Sequence, residues 1–125
     1  MKTAMQHLQK SLQSIAFHTI NPLAGEHIGL YRVPSAEGCV EFVRLETGSY
    51  RPHIHDTIDA HLTILAGSGQ ILLDGNSYPF RTGSTFEVPR GASHGFIVET
   101  DTVLLSVQDK PILDTETNEA DIRLA

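Results

Sequence analysis

Between Gly38 and Gln108 the chain offers no connection long enough for a parallel crossover, and this limits its possible folds more than any other feature. Short runs rich in Val, Ile, Leu, Phe and Thr recur about every ten residues, separated by Gly, Pro, Asp and Asn. The runs are HIGLYRV (27–33), CVEFVRLE (39–46), HLTILAG (61–67), GQILLDG (69–75), NSYPFR (76–81), STFEV (84–88), HGFIVE (94–99) and TVLLSVQ (102–108). Parallel neighbours need crossovers of about a dozen residues or more, so these strands must pair mainly antiparallel, as a sandwich or barrel. Asp74-Gly75-Asn76 reads as a hairpin turn in which Gly75 takes positive φ.

The 125 residues suit one domain, and no linker, repeat or low-complexity stretch divides them. Residues 1–20 are expected to hold an amphipathic helix, with Met5, Leu8, Leu12, Ile15 and Ala16 at helical spacing, and residues 27–108 the barrel. The tail, 109–125, is more polar and contains Pro111; it is expected either to cover a sheet edge or to move freely. A net charge of −6 without a Lys/Arg run disfavours nucleic acid and membrane partners. Without a long apolar segment, and with Cys39 as the single cysteine, the expectation is a cytoplasmic protein whose thiol is a small core residue.

Chemistry concentrates in PHIHDTIDAH, residues 52–61. Residues two apart on a strand share a face, with Cα atoms roughly 6.5–7 Å apart, so His53 and His55 can converge on one ion. In a chain with seven histidines, roughly 0.4 His-x-His pairs arise by chance, so this pair needs a second signal. GSTFEVPRGASHGFIV supplies it. Gly83, Pro89, Gly91 and His94 stand at a spacing expected by chance in roughly 0.002 of such chains. Pro89 ends a strand, Gly91 permits a tight turn, and His94 starts the strand that returns to the same interior.

These segments resemble the two motifs of the cupin superfamily. In that family the first motif reads Gly, about five residues, His-x-His, three or four residues, Glu, six residues, Gly; the second reads Gly, five residues, Pro-x-Gly, two residues, His, three residues, Asn. The counterparts here are Gly48–Gly67 and Gly83–Val98, with three departures: four residues intervene between Gly48 and His53, Val98 stands at the Asn position, and Ala60 stands where the family has its metal-binding glutamate. The resemblance implies an all-β cupin double-stranded β-helix, an antiparallel jelly-roll barrel with a short N-terminal helix. It also implies one divalent transition metal (Fe, Mn, Ni, Co or Zn) held by His53, His55 and His94.

Three arrangements answer the missing carboxylate: a centre of three histidines alone, a one-residue bulge that turns Asp59 or His61 inward as a fourth ligand, or a polar pocket holding no tight metal. Three neutral imidazoles leave positions open on a divalent ion, which keeps its full charge for an anionic or enolisable substrate. Arg51 either grips a substrate carboxylate or stands solvated at the strand entrance; Phe96 and Val98 should share His94's face, with Phe42, Leu62, Ile64 and Phe86 as candidates from other strands, each a cavity wall or simple core packing. Asp56 and Asp59 are either partners for an imidazole N–H or turn residues. His7, His18 and His27 lie far from both motifs.

The implied function is a metal-dependent enzyme on a small molecule, its three-histidine centre pointing to dioxygenase-type oxidoreductase chemistry. Two alternatives stand beside it: a sugar or keto-acid isomerase or epimerase, with Glu87, Tyr50 and His61 as the available bases, and a non-catalytic cupin that binds or senses a small ligand. Exposed strand edges, which the family covers by pairing chains, imply a homodimer.

Overall fold

The computed structural model describes residues 3–20, 26–33, 39–114 and 119–125. The N-terminal helix α1 spans Ala4–Leu12 and opens on a capping box, in which the Thr3 side chain accepts from the Gln6 backbone and the Gln6 side chain accepts from that of Thr3. It is shorter than the expected 1–20. After Leu12 the chain turns, and His18–Ile20 forms strand β1, paired with β2 (Ile28–Val33) in the register His18↔Leu30. A β-branched, aromatic segment such as Phe17–Ile20 gains more from an open sheet edge than from further helical turns. Arg44 stacks over the Phe17 ring at 4.9 Å and anchors this passage.

The barrel is then built from β3 (Cys39–Leu45), β4 (Gly48–Ile54), β5 (Ala60–Leu73), β6 (Asn76–Arg81), β7 (Thr85–Val88) and β8 (Ser93–Gln108). Short strands β9 (Leu113–Asp114), β10 (Glu119–Ala120) and β11 (Arg123–Leu124) follow. Among the described residues every pairing is antiparallel. HLTILAG and GQILLDG, expected as two strands, fuse into the 14-residue β5; HGFIVE and TVLLSVQ fuse into the 16-residue β8. The two long strands pair along nearly their whole length, with register shifts between Ile64 and Gly69.

That bend divides the sheet into two facing halves. The N-terminal half of β8 lies between β4 and the end of β5, while its C-terminal half lies between β3 and the start of β5. Gly67 makes the bend possible: it has φ +111°, and a Cβ there would stand 2.2 Å from Thr102 Oγ1 and 2.7 Å from Thr102 Cα. Leu45, Tyr50, Leu62, Ile64, Ile71, Phe80, Val88, Phe96 and Leu104 fill the space between the halves. The result is an all-β double-stranded jelly roll, with one short helix among the described residues, the architecture that the resemblance implies. The expected turn at Asp74-Gly75 is present, with φ of 47° and 82°, the conformation a two-residue hairpin favours. Among the described residues no helix is long and apolar enough to cross a membrane.

Candidate metal centre

A bulge in β4 creates the site. Tyr50 pairs with Phe96 and His53 with His94, so two residues of β4, Arg51 and Pro52, stand opposite the single Gly95. Pro52 has no N–H for the ladder, which suits it to this place. The bulge presses β4 against β8: a Cβ on Gly95 would lie 2.7 Å from Tyr50 O and 2.8 Å from Pro52 N. Its consequence is a change of parity. Tyr50 and His53, which regular alternation would send to opposite faces, both line the interior, and His55 follows two residues later.

The second motif arrives as its spacing suggests. Gly91, at φ +81°, closes the turn after Pro89, and its N–H donates to the His55 carbonyl at 2.9 Å, tying the two motifs together. His94 then enters β8 directly across from His53. One ring nitrogen from each of His53, His55 and His94 lies within 4.8 Å of the other two, and the ring centroids are 4.1–4.9 Å apart. Burial is the main force that holds His53 down at about 4 and His94 at about 3, with repulsion from neighbouring histidines adding to it. Both rings are therefore neutral at neutral pH, the form in which imidazole ligates a metal. Three converging imidazoles form a group suited to a metal ion.

Neither expected fourth ligand joins them. Strand β5 alternates regularly through its first residues, with Ala60, Leu62 and Ile64 inward, and its register does not shift before Ile64. His61 therefore points outward and pairs with Glu87. Asp59 is exposed and receives Arg90, at 2.8 Å from the backbone N–H and 2.8 Å from the guanidinium, which braces the turn leading to His94. Ala60 itself faces the cavity.

The cavity holds about 260 Å³ and is mostly apolar, with Tyr50, Leu62, Val88, Phe96 and Leu104 among its walls. Of the expected substrate contacts, Phe96 lines it and Arg51 reaches it from an exposed position, whereas Val98 is buried in the core outside it. Of the further wall residues, Leu62 lines it, while Phe42, Ile64 and Phe86 do not. Phe42 packs instead near Tyr31. Tyr50 spends its hydroxyl on the Glu46 and His27 carbonyls, 2.6 and 3.0 Å away. Burial raises its pKa, so it is a poor base.

Four polar residues in the wall, Glu26, Glu41, Ser106 and Gln108, went unseen in the sequence, as did Asp121 beside it. Glu26 and Glu41 are both buried, 5% and 6% exposed, and both line the cavity. Glu26 accepts the Arg51 N–H at 2.7 Å. Glu41 accepts the Gln108 amide at 2.9 Å, and Gln108 in turn accepts the Ser106 hydroxyl at 2.7 Å. Glu41 had a readable signal, since it falls in phase with the inward Cys39 and Leu45 of its strand, where a carboxylate is out of place unless used. Burial, and next the Glu41 carboxylate, push the Cys39 thiol up to about 11, which keeps it an inert core residue. Asp121 had no such signal; its carbonyl meets His55 Nδ1 at 2.5 Å from 66 residues further along the chain.

The cupin domain family matches residues 41–108, more than half the chain. The chain belongs to the cupin family. No curated protein sequence matches it closely enough to count as a relative. Among solved structures, a predicted oxalate decarboxylase from Thermotoga maritima is similar over 78% of this chain and 94% of its own, at 21% identity and a TM-score of 0.66. A putative sugar phosphate isomerase from Acidithiobacillus ferrooxidans covers 100% of this cupin and 90% of its own chain, at 15% identity and a TM-score of 0.69. Pac13, a nucleoside dehydratase from Streptomyces, covers 87% and 84% at 16% identity and a TM-score of 0.63. At these identities the likeness establishes the shared fold.

Proposed function

We propose that this cupin is a metal-dependent enzyme acting on a small organic molecule, with His53, His55 and His94 holding one divalent transition metal and dioxygenase-type oxidation as its reaction. The observation that carries the reading is the donor set: three converging imidazoles, with Ala60 facing the cavity where a carboxylate would complete a four-ligand site. When bound, such an ion supplies open coordination positions and an undiminished positive charge for oxygen ligands. The protein's own contribution is positional. The bulge in β4 and the turn at Gly91 fix the three rings, Leu62, Phe96 and Leu104 limit water around the reacting atoms, and Arg51 offers a cation to a substrate carboxylate. A cavity of about 260 Å³ suits a small molecule and excludes a polymer.

A second reading is favoured by one observation. Glu41 provides a buried carboxylate on the cavity wall, a base of the kind an isomerase or dehydratase needs to move a proton next to a carbonyl. A putative sugar phosphate isomerase and a nucleoside dehydratase among proteins of similar fold support this class.

Two measurements test these readings. Elemental analysis of untagged protein should find close to one transition metal per chain, and His94→Ala should lose most of it; a metal-free parent overturns the proposal. On a panel of small hydroxy and keto acids, steady oxygen uptake supports oxidation. Solvent deuterium incorporation without oxygen uptake moves the assignment to the proton-transfer reading, and ligand binding with neither marks a binding protein.

A further inference from the structure

Residues 119–125 close over the edge of β4, the strand that carries His53. Strand β11 pairs there in the register Arg123↔Ile54 and Leu124↔His53, and the Ala125 N–H donates to Pro52 O at 3.2 Å. Asp121, just before this strand, is engaged at each of its polar groups. Its N–H donates to Ile112 O at 2.9 Å. One carboxylate oxygen accepts the Asp56 N–H at 2.8 Å; the other accepts the Thr57 N–H at 2.8 Å and the Thr57 hydroxyl at 2.7 Å. Its carbonyl meets His55 Nδ1 at 2.5 Å. Asp121 thus holds residue 55 by its ring and the two following residues by their backbone.

A carbonyl can only accept, so the contact to Nδ1 places a proton there and leaves the lone pair on Nε2. A docked tail therefore selects one tautomer of one imidazole in the cluster. A cation on Nε2 polarises the ring and strengthens the Nδ1–H bond to its acceptor, the relation that makes such outer partners matter for metal affinity. Any such strengthening must act in both directions, because coupling between two binding events is reciprocal.

The segment is also held lightly enough to respond. Ile122 and Leu124 are 37% and 51% exposed, and the Arg123–Asp56 pair lies at the surface, so a short ladder and polar contacts hold the tail rather than burial. Such segments open at a small fraction of the global unfolding free energy. Ile122, Arg123 and Leu124 line the cavity, so docking also completes part of its wall.

We infer that docking of residues 119–125 and metal binding at the three histidines form one coupled equilibrium, with Asp121 as the positioning residue that holds His55 in its ligating tautomer. The inference rests on the metal-centre reading above.

The test uses the full chain and Zn²⁺, a redox-inert probe. Asp121→Ala removes the three carboxylate hydrogen bonds; Asp101→Ala removes two similar bonds to Thr47 and is the control for general loosening. The Zn²⁺ Kd should weaken about tenfold or more in Asp121→Ala and stay within about twofold in Asp101→Ala. In the parent protein, amide hydrogen exchange across 121–125 should slow about tenfold when Zn²⁺ is added. An unchanged Kd in folded Asp121→Ala, or tail exchange indifferent to Zn²⁺, overturns the coupling while the metal centre stands. Should Asp121→Ala fail to fold, exchange in the parent decides the matter alone. A parent chain that binds no Zn²⁺ overturns the metal centre itself, and the coupling with it.

Discussion

Consider the metal-free protein, kept in chelator and taken from pH 7 to pH 5. His53 and His94 are held, chiefly by burial, at about 4 and about 3 against an ordinary value of 6.5. Below pH 6.5 the unfolded chain takes up a proton on each ring while the folded chain does not, so protons pull the equilibrium toward unfolding. Stability is thus full above pH 6.5 and falls as the pH drops toward the folded values. Over this interval each ring removes roughly 2 kcal/mol, about 4 kcal/mol for the two. With a urea dependence of about 2 kcal/mol per molar, the unfolding midpoint should drop by about 2 M. Asp59, Asp101 and Asp121 do not obscure the effect: they are shifted downward from an ordinary 3.8, so they act only at lower pH. Urea titrations followed by circular dichroism at pH 7, 6 and 5 measure it. His94→Ala, whatever its stability at pH 7, should lose about half as much between pH 7 and 5. A flat midpoint over that range, or an equal loss in the variant, would refute the claim that these rings are buried and neutral.

Three further outcomes follow from the geometry. Ala60→Glu places a carboxylate where the chain faces the three imidazoles; metal retention during dialysis against chelator should lengthen at least tenfold, while the metal-free variant melts lower because an unpaired carboxylate is buried. Gly67→Ala forces a Cβ against Thr102 at a φ of +111°, and a loss of about 3 kcal/mol, near 10 °C in Tm, should appear in thermal denaturation. Glu41→Gln should leave metal content unchanged while kcat falls at least a hundredfold if Glu41 moves the proton, and little if the reaction is oxidative; steady-state kinetics on the substrate found by the panel separates the two.

Much of this was legible along the chain because it depends on local chemistry. The alternation of apolar runs with Gly, Pro and Asp sets strand positions and antiparallel pairing, and the Pro89–Gly91 turn is a local event that aims His94 wherever its strand goes. Helix length was less legible. Phe17–Ile20 continues an apolar pattern compatible with a helix, and only the free edge of β2 draws it into a strand.

The site shows the same division. His53, His55 and His94 could be named from spacing, since motif residues are tied to turns that the backbone must make. The missing carboxylate could not be resolved that way, because Asp59, Ala60 and His61 are consecutive and their faces depend on where the β5–β8 register shifts. The shifts begin after Ile64, so Ala60 faces inward and Asp59 and His61 serve the surface.

By itself, the sequence determined an antiparallel sandwich or barrel carrying three histidines in two segments, since strand periodicity and turn chemistry act over a few residues, and its resemblance to the cupins narrowed this to a jelly roll. Only the tertiary structure decided the cavity's polar wall and the grip of Asp121 on His55. Those contacts join residues 66 or 67 positions apart, and burial and register, which bring them together, are properties of the packed sheet.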